Sequence, residues 1–213
     1  MKVDYKPEYF QYSRLEMLAF VPDGTRTSLE VGCGAGKFSS NLARRGIECW
    51  GIEPEGAAYE EALKNGVKCL PGLFQDQLDN LPKNYFDLVV FNDVLEHMSD
   101  PWEALILTKS LLREGGHVVA SIPNILYFPA FTDLVITRNF KYTEGGIFDK
   151  THLRFFTKRS IVDFFESCGF EVKKIEGIHA YISRKFTLFN LLTLGYFKEM
   201  QYAQFGVTAG VRV

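Results

Sequence analysis

A glycine-rich loop stands early in the sequence, in the run Glu30-Val31-Gly32-Cys33-Gly34-Ala35-Gly36. Glycines after the first strand of an α/β sheet let the backbone turn sharply and approach a ligand closely. Dinucleotide-binding loops need a third small residue, as in G-x-G-x-x-G/A, and Lys37 occupies that position here. A nicotinamide-dependent oxidoreductase therefore stays open only as the weaker alternative.

A second acid, Glu53, follows this loop at the end of the predicted second strand. A carboxylate about 20 residues beyond such a loop can accept two hydrogen bonds from a ribose diol. The alternative is a first-turn acid that stabilises the dipole of a helix beginning at Pro54. Because the loop and the acid occur together, we favour ribose binding.

A third group of residues with ionisable side chains follows an apolar run that ends at Phe91; these are Asp93, Glu96 and His97. Their spacing of i, i+3 and i+4 would place all three on one face of a single helical turn. A histidine there could accept a proton from an acceptor hydroxyl, or it could be structural. Two carboxylates and an imidazole could also hold a hard divalent ion, which we do not expect.

His152 is the second candidate base, within the run Phe148-Asp149-Lys150-Thr151-His152-Leu153-Arg154-Phe155-Phe156. Polar residues set this densely among aromatic ones indicate a wall of an acceptor site. Alternatively, His152 and Arg154 tie a lid to the sheet.

Strand and helix patterns alternate along most of the chain, which predicts a parallel, doubly wound α/β sheet. A capping box at Ser13–Glu16 predicts an opening helix. Helices are predicted over 37–45, from Pro54 to about 65, over 101–113 and over 158–167, and strands over 28–31, 47–52, 67–70, 86–91, 117–122, 170–175 and 205–213.

Two aromatic segments, 124–156 and 181–202, interrupt this alternation. Long irregular segments in a compact domain are usually functional, often as lids. For 181–202 we favour a buried cap over the acceptor site, with a dimer surface and a segment at a membrane interface as alternatives. Polar breaks at Asn190 and Thr193 argue against a membrane span.

Composition excludes several classes of protein. The 213 residues carry a formal net charge of −2 with a sequence pI of about 6.1, so no bulk positive field exists to collect nucleic-acid phosphates. Cys33, Cys49, Cys69 and Cys168 are far apart, which indicates buried thiols in a reducing compartment and no zinc site. With no signal peptide or membrane span recognised, we expect a cytoplasmic protein.

Several strings together resemble one family. Beside the glycine loop and Glu53 stand Phe86-Asp-Leu-Val-Val-Phe-Asn-Asp-Val-Leu-Glu-His97, Leu111-Leu-Arg-Glu-Gly-Gly116 and Thr151-His-Leu-Arg-Phe-Phe-Thr157. Over roughly residues 10–175 the chain resembles the class I S-adenosylmethionine (SAM)-dependent methyltransferases. It is similar to the ubiquinone-biosynthesis-like and sugar-pathway small-molecule methyltransferases.

The resemblance implies a Rossmann-like, seven-stranded sheet that is mostly parallel with its last strand antiparallel. It implies SAM as the cofactor and S-adenosylhomocysteine as the product. Glu30 would support the amino group of SAM, Glu53 would bind the ribose, Phe74 would lie against the adenine and Asn92 would close the pocket. The full implied set of cofactor-binding residues is Glu30, Gly32, Cys33, Gly34, Gly36, Glu53, Phe74 and Asn92. Leu73 stands where relatives often carry an acid, so adenine recognition would fall to backbone groups or to Asp76. Arg14 could reach the SAM carboxylate.

We therefore expect a single methyltransferase domain, with a SAM-binding half over 1–123 and an acceptor-side half over 124–213. The predicted reaction is in-line displacement of the methyl group by a small-molecule acceptor, with oxygen favoured over nitrogen or carbon. His97, His152 and Asp93 are the predicted catalytic residues. Quinone-type relatives hold a metal at the positions of Asp93, Glu96 and His97. For this chain we assign no metal ligands. A sugar or quinone-like precursor is the expected acceptor, a homodimer is left open, and the alternative function is a SAM-binding module without turnover.

Overall fold

The sheet is the central element of residues 11–212, which the computed structural model describes. Its strands are β1 (Thr27–Val31), β2 (Glu48–Glu53), β3 (Lys68–Pro71), β4 (Phe86–Asn92), β5 (Leu112–Pro123), β6 (Phe170–Ala180) and β7 (Tyr202–Val211). They are ordered β3-β2-β1-β4-β5-β7-β6, and only β7 runs antiparallel to its neighbours. The predicted seven-stranded sheet with an antiparallel last strand is confirmed.

Helices cover the connections between these strands. They are α1 (Lys37–Ala43), α2 (Gly56–Lys64), α3 (Phe74–Gln77), α4 (Pro101–Thr108), α5 (Phe128–Thr132), α6 (Lys158–Ser167) and α7 (Arg184–Leu192), with 3₁₀ turns at Leu15–Phe20, Leu78–Asn80, Leu95–His97 and Lys198–Gln201 and a π-helical turn at Asp133–Thr137. Asp100 caps α4 and Thr157 caps α6, since each side chain accepts a backbone N–H of the first turn.

Among the helix boundaries that differ from the prediction, those of α2 and α4 have local reasons. α2 begins beyond Pro54, because the Glu55 carboxylate caps its first turn. α4 ends before the predicted Arg113, because Leu112 already pairs with β4 as the first residue of β5. Neither shift moves the strands that carry the candidate site residues.

The strand order reverses beside β1, which pairs with β2 on one side and with β4 on the other. Residues Phe86 to Phe91 of β4 are all buried, as expected of a strand covered on both faces. Doubly wound sheets bind ligands in the crevice at the carboxyl ends of the strands where the order reverses. The loops after β1 and β4 meet at that crevice.

The two aromatic segments leave the sheet at this same edge. Because β5 and β6 are both antiparallel to β7, the connections that follow β5 and β6 start at the edge where β4 ends. Phe128 of α5, Phe186 of α7 and Met200 form a small buried cluster between the two segments. The expectation of a buried cap is nevertheless wrong for the leucines of α7, whose side chains are mostly exposed.

In the described part of the chain, every helix is too short or too polar to cross a membrane.

Candidate functional site

The glycine-rich loop is held against the end of β2. The backbone N–H groups of Gly32 and Cys33 both donate to the Ile52 carbonyl oxygen, at 2.8 and 3.1 Å. Gly32 has a φ of 67°, and a Cβ atom at this position would lie 2.7 Å from Cγ2 of Val94. Only glycine fits this backbone conformation and this close approach. The loop therefore brings bare backbone to the segment that follows β4.

Gly36 closes the loop under a similar constraint. Its φ is 71°, and a Cβ atom there would lie 2.7 Å from Cγ2 of Val67. Lys37, the first residue of α1, turns outward and pairs with Glu61 at 3.1 Å. Gly36 thus permits a close approach to Val67 and Ala62, and Lys37 does not crowd this contact.

Glu53 fastens the middle of the loop. Its Oε2 atom accepts the Gly34 N–H at 2.8 Å, and its Oε1 atom accepts the Glu55 N–H at 2.9 Å. The side chain is buried, and burial raises its pKa. Because each carboxylate oxygen has two acceptor positions, one remains on each oxygen for a ligand hydroxyl. Ribose binding by Glu53 stays a prediction that this geometry allows.

Glu30 is the second buried acid of the crevice. It accepts hydrogen bonds from the Ser39 hydroxyl at 2.7 Å and from Nδ2 of Asn92 at 3.2 Å. Burial outweighs these bonds and raises the pKa of Glu30 to about 7. The Oδ1 atom of Asn92 is buried with no hydrogen-bond partner in the described residues. An unsatisfied buried acceptor beside a carboxyl group suits a ligand that donates hydrogen bonds, such as an ammonium group.

Two predicted cofactor-binding side chains face the interior instead. The Cys33 thiol lies 3.6 Å from the thiol of Cys69, so its side chain points into the interior and Cys33 contributes only its backbone to the loop. Phe74 is 2% exposed, and its ring packs edge-on against Phe91. The structure corrects the predicted place of Phe74 against adenine, because core packing leaves its ring no free surface. The exposed side chain at this point is Leu73.

Asp93 lies outside the helical turn that its spacing predicts. It has a left-handed backbone conformation with a φ of 53°, and the 3₁₀ turn begins only at Leu95. Its Oδ1 atom accepts hydrogen bonds from Ser121 Oγ at 2.7 Å and from Gln204 Nε2 at 3.0 Å. These bonds turn Asp93 toward β5 and β7. Its catalytic role stays a prediction, with its carboxylate committed to these partners.

Arg14 completes this network through an ion pair with Asp93. The predicted capping box is wrong, because Arg14 itself precedes the 3₁₀ turn with a φ of 48° and no side chain caps the turn. The Arg14 side chain is only 18% exposed. A ligand carboxylate that reached Arg14 would compete with Asp93.

His97 and His152 are brought together, with ring centroids 4.7 Å apart. The contact depends on the loop before α6, in which the backbone N–H groups of Leu153 and Arg154 donate to the Glu96 carbonyl oxygen at 2.8 and 3.0 Å. The two candidate bases predicted from separate motifs therefore form one site. Their pairing depends on the backbone contact with Glu96, which joins residues far apart in the sequence.

Hydrogen bonds define the tautomers of both histidines. Nδ1 of His152 lies 3.2 Å from the Ile147 carbonyl oxygen and must donate to it. Nδ1 of His97 lies 3.0 Å from the Thr151 hydroxyl, which itself donates to Asp149 at 2.6 Å. His97 therefore donates to Thr151, and each ring has an unprotonated Nε2.

The electrostatic surroundings keep these rings neutral. Burial and the neighbouring His152 lower the pKa of His97 to about 4, and burial also lowers the pKa of His152. Both Nε2 atoms are therefore unprotonated at neutral pH, and that of His152 lies 4.0 Å from Oε1 of Glu96. The sequence reasoning missed the supporting roles of Asp149 and Thr151, whose only signal was their place in a polar run among aromatic residues.

Glu96 lies beneath the histidine pair. It is 1% exposed, neither carboxyl oxygen has a hydrogen-bond partner in the described residues, and burial raises its pKa to about 8. Glu96, His97 and His152 each offer one atom that could ligate a metal, and these three atoms lie within 4.8 Å of one another. This corrects the metal-ligand set considered from the sequence, since the group that could hold a divalent ion contains His152 in place of Asp93.

Comparisons with known proteins identify relatives of this chain and of its fold. Residues 6–175 match the family described as "Methyltransferase domain". The "Ubiquinone biosynthesis O-methyltransferase" of Aeromonas salmonicida is 30% identical over 179 residues, which are 80% of this chain and 74% of that protein. The protein of the same name from Photorhabdus laumondii is 27% identical over 184 residues, or 82% of this chain and 75% of that protein. A crystal structure of a SAM-dependent methyltransferase from Archaeoglobus fulgidus has a TM-score of 0.70 at 20% identity, covering 96% of this chain and 94% of that one.

The pKa of Glu30 yields a prediction about stability. Because the pKa in the folded protein is about 7 against an ordinary 4.5, the buried carboxyl is favoured as the neutral acid. The stability it contributes is present below pH 4.5 and is lost as the pH rises through 7. Glu30→Gln should remove this loss. The free energy of unfolding of the wild type should fall between pH 5 and pH 8 by at least about 1.4 kcal/mol more than that of Glu30→Gln, which is the equivalent of one pKa unit.

Denaturant unfolding of both proteins at the two pH values measures this difference. Glu60→Gln, on the exposed side of α2, is the control and should follow wild type at both. A difference between Glu30→Gln and wild type that stays constant with pH would show that Glu30 is not held as the neutral acid.

Proposed function

The chain belongs to the class I SAM-dependent methyltransferases, and from that premise we propose that it methylates an oxygen atom of a small-molecule acceptor. The observation that carries the proposal is the pair of unprotonated Nε2 atoms on His97 and His152. His97 follows β4 in the segment whose Val94 lies against Gly32 of the loop after β1, and His152 packs on His97. An acceptor hydroxyl must lose its proton during transfer, and neutral imidazoles are suited to take it.

The residues of the crevice fit SAM as the cofactor. The unsatisfied Oδ1 of Asn92 and the adjoining Glu30 suit its ammonium group. The remaining acceptor positions of Glu53 suit its ribose hydroxyls. Gly32 keeps side-chain atoms out of the space between the loop and Val94. A cationic cofactor would also favour the charged forms of the buried carboxyl groups of Glu30 and Glu53, whose pKa values burial raises.

SAM, when bound, supplies a methyl group activated by its sulfonium for in-line displacement. The chain contributes orientation and proton transfer. Asp149 orients Thr151, and Thr151 in turn holds His97 in the tautomer that leaves Nε2 free. The backbone bonds from Leu153 and Arg154 to Glu96 keep the second histidine in place. Fixed geometry of this kind accounts for much of the acceleration of such reactions.

Oxygen as the methylated atom is supported by the relatives from Aeromonas salmonicida and Photorhabdus laumondii, both named as O-methyltransferases. These relatives are only 30% and 27% identical to this chain, so the acceptor class is our inference. We propose a sugar or quinone-like precursor as the acceptor. Aromatic side chains next to the pair, such as Phe155 at 6.3 Å from the His152 ring, suit a partly apolar molecule.

Glu53→Gln tests the cofactor site. The substitution removes the charge that the ribose hydroxyls and the Gly34 N–H share, and a hydrogen bond to a charged group contributes about 1.5–3 kcal/mol. Isothermal titration with SAM should therefore show binding at least about tenfold weaker. Glu60→Gln is the matched control on α2 and should bind as wild type does. An unchanged dissociation constant for Glu53→Gln would refute the ribose assignment.

Removing the two histidines tests the proposed chemistry. His97→Ala combined with His152→Ala should lower turnover by about 100- to 10,000-fold, the usual contribution of general-base catalysis, with SAM affinity nearly unchanged. Release of S-adenosylhomocysteine would be measured over a panel of phenols, sugars and amines, with His117→Gln as the control. Full activity of the double variant, or methylation of amines alone, would contradict the proposal. Tight SAM binding with no product from any acceptor would instead favour a binding module.

A further inference from the structure

Helix α7 is apolar on two opposite faces. Its inner face packs Phe186 and Phe189 against Phe128, with ring centroids 5.2 Å apart in both contacts. Its outer face carries Leu188, Leu191 and Leu192, at a spacing that places them together. A helix that is apolar all round is normally buried. The outer leucines are instead 57%, 70% and 74% exposed, so this face has no covering element in the described part of the chain.

The apolar surface extends beyond the helix. We define the α7 face as the exposed residues Ile136, Ile182, Leu188, Leu191, Leu192, Leu194 and Tyr196. Ile136 belongs to it because this residue, Tyr181 and Lys185 line one groove. Leu194 is 94% exposed and has a φ of 53°, an unfavourable conformation for a leucine. The chain thus holds a strained apolar tip in solvent.

The charges around the α7 face are unlike those of the rest of the chain. Segments 128–138 and 181–202 contain the basic residues Arg138, Arg184, Lys185 and Lys198 and the acids Asp133 and Glu199. Of the 24 basic and 26 acidic residues of the chain, 20 and 24 therefore lie elsewhere. Glu199 is already paired with Lys158. None of these four basic residues pairs with a carboxylate in the described residues. An overall acidic protein thus presents a locally basic, apolar surface.

We propose that the α7 face docks on the surface of an anionic phospholipid bilayer. Helices with leucines on one side and flanking Lys and Arg lie in the membrane interface with their apolar side inserted below the headgroups. Lipid phosphates would neutralise Arg184, Lys185 and Lys198, and the Tyr196 ring would lie at the headgroup level.

Charge favours this occupant over a second copy of the chain. A twofold dimer brings the same patch of both subunits together, so the basic residues of two α7 faces would repel one another. A bilayer of anionic lipids supplies the opposite charge and an apolar interior. The α7 face also follows β6, at the sheet edge that carries the candidate site, so docking would turn that edge toward the membrane.

Flotation with vesicles of phosphatidylcholine and phosphatidylglycerol in equal parts tests the proposal. Full-length protein should float with these vesicles and not with pure phosphatidylcholine, and raising NaCl from about 0.05 to about 0.5 M should release it, since screening weakens attraction between charges at a surface. Protein that fails to float with the mixed vesicles at low salt would overturn the proposal.

Variants locate the contact. Leu188→Ser, Leu191→Ser and Leu192→Ser together should weaken partition into mixed vesicles at least about tenfold, because each leucine gives up burial worth more than one decade of affinity. Arg184→Gln with Lys185→Gln should weaken it and reduce the salt dependence. Leu63→Ser, at an exposed position of α2, is the control for both.

Two further measurements keep the result specific. SAM titration should be unchanged in every variant, so a failure of docking is separable from a failure of the proposed function. Sedimentation velocity without lipid should show the same species for wild type and the leucine variant. A wild-type dimer that the leucine variant dissociates would overturn the proposal and make the α7 face a subunit interface.

Discussion

A hydrogen bond from Asn92 to Glu30 joins the carboxyl ends of β4 and β1. The loop that follows β1 carries the glycines and contacts Glu53, whereas the segment that follows β4 carries Glu96 and His97. Both halves of the candidate site therefore start from this one contact between neighbouring strands. It lies where the strand order reverses, which is where doubly wound sheets bind their ligands. The remaining elements of the sheet hold these two strand ends in register.

Buried carboxyl groups set the electrostatic character of this crevice. Burial raises the pKa of Glu30, Glu53 and Glu96 alike, but their partners differ. Backbone N–H groups bind Glu53, two side chains bind Glu30, and the carboxyl oxygens of Glu96 have no hydrogen-bond partner among the described residues. Burial therefore favours the neutral forms of these carboxyl groups in the free protein. A bound cation would favour their charged forms.

Local physics made much of this architecture predictable. The apolar run of β4, the cap at Asp100 and the glycines of the first loop each depend on neighbours in sequence, and the structure has them where the sequence places them. Asp93 was misplaced because its spacing suits a helical turn, whereas Ser121 and Gln204 from distant strands hold it outside one. The pairing of His97 with His152 depends on a backbone contact across more than fifty residues, which no local pattern encodes. The exposure of α7 was equally hidden, because a buried cap and an exposed apolar face have the same composition.

A crystal structure of the complex with S-adenosylhomocysteine tests the central claim most directly, because it shows whether the crevice at the ends of β1 and β4 is the cofactor site. The account predicts the ribose hydroxyls within hydrogen-bond distance of the Glu53 carboxylate and the amino group beside Asn92 Oδ1 and Glu30. It also predicts the sulfur atom on the side of the crevice that faces His97 and His152. A ligand bound elsewhere, or one whose ribose lies away from Glu53, would contradict the account.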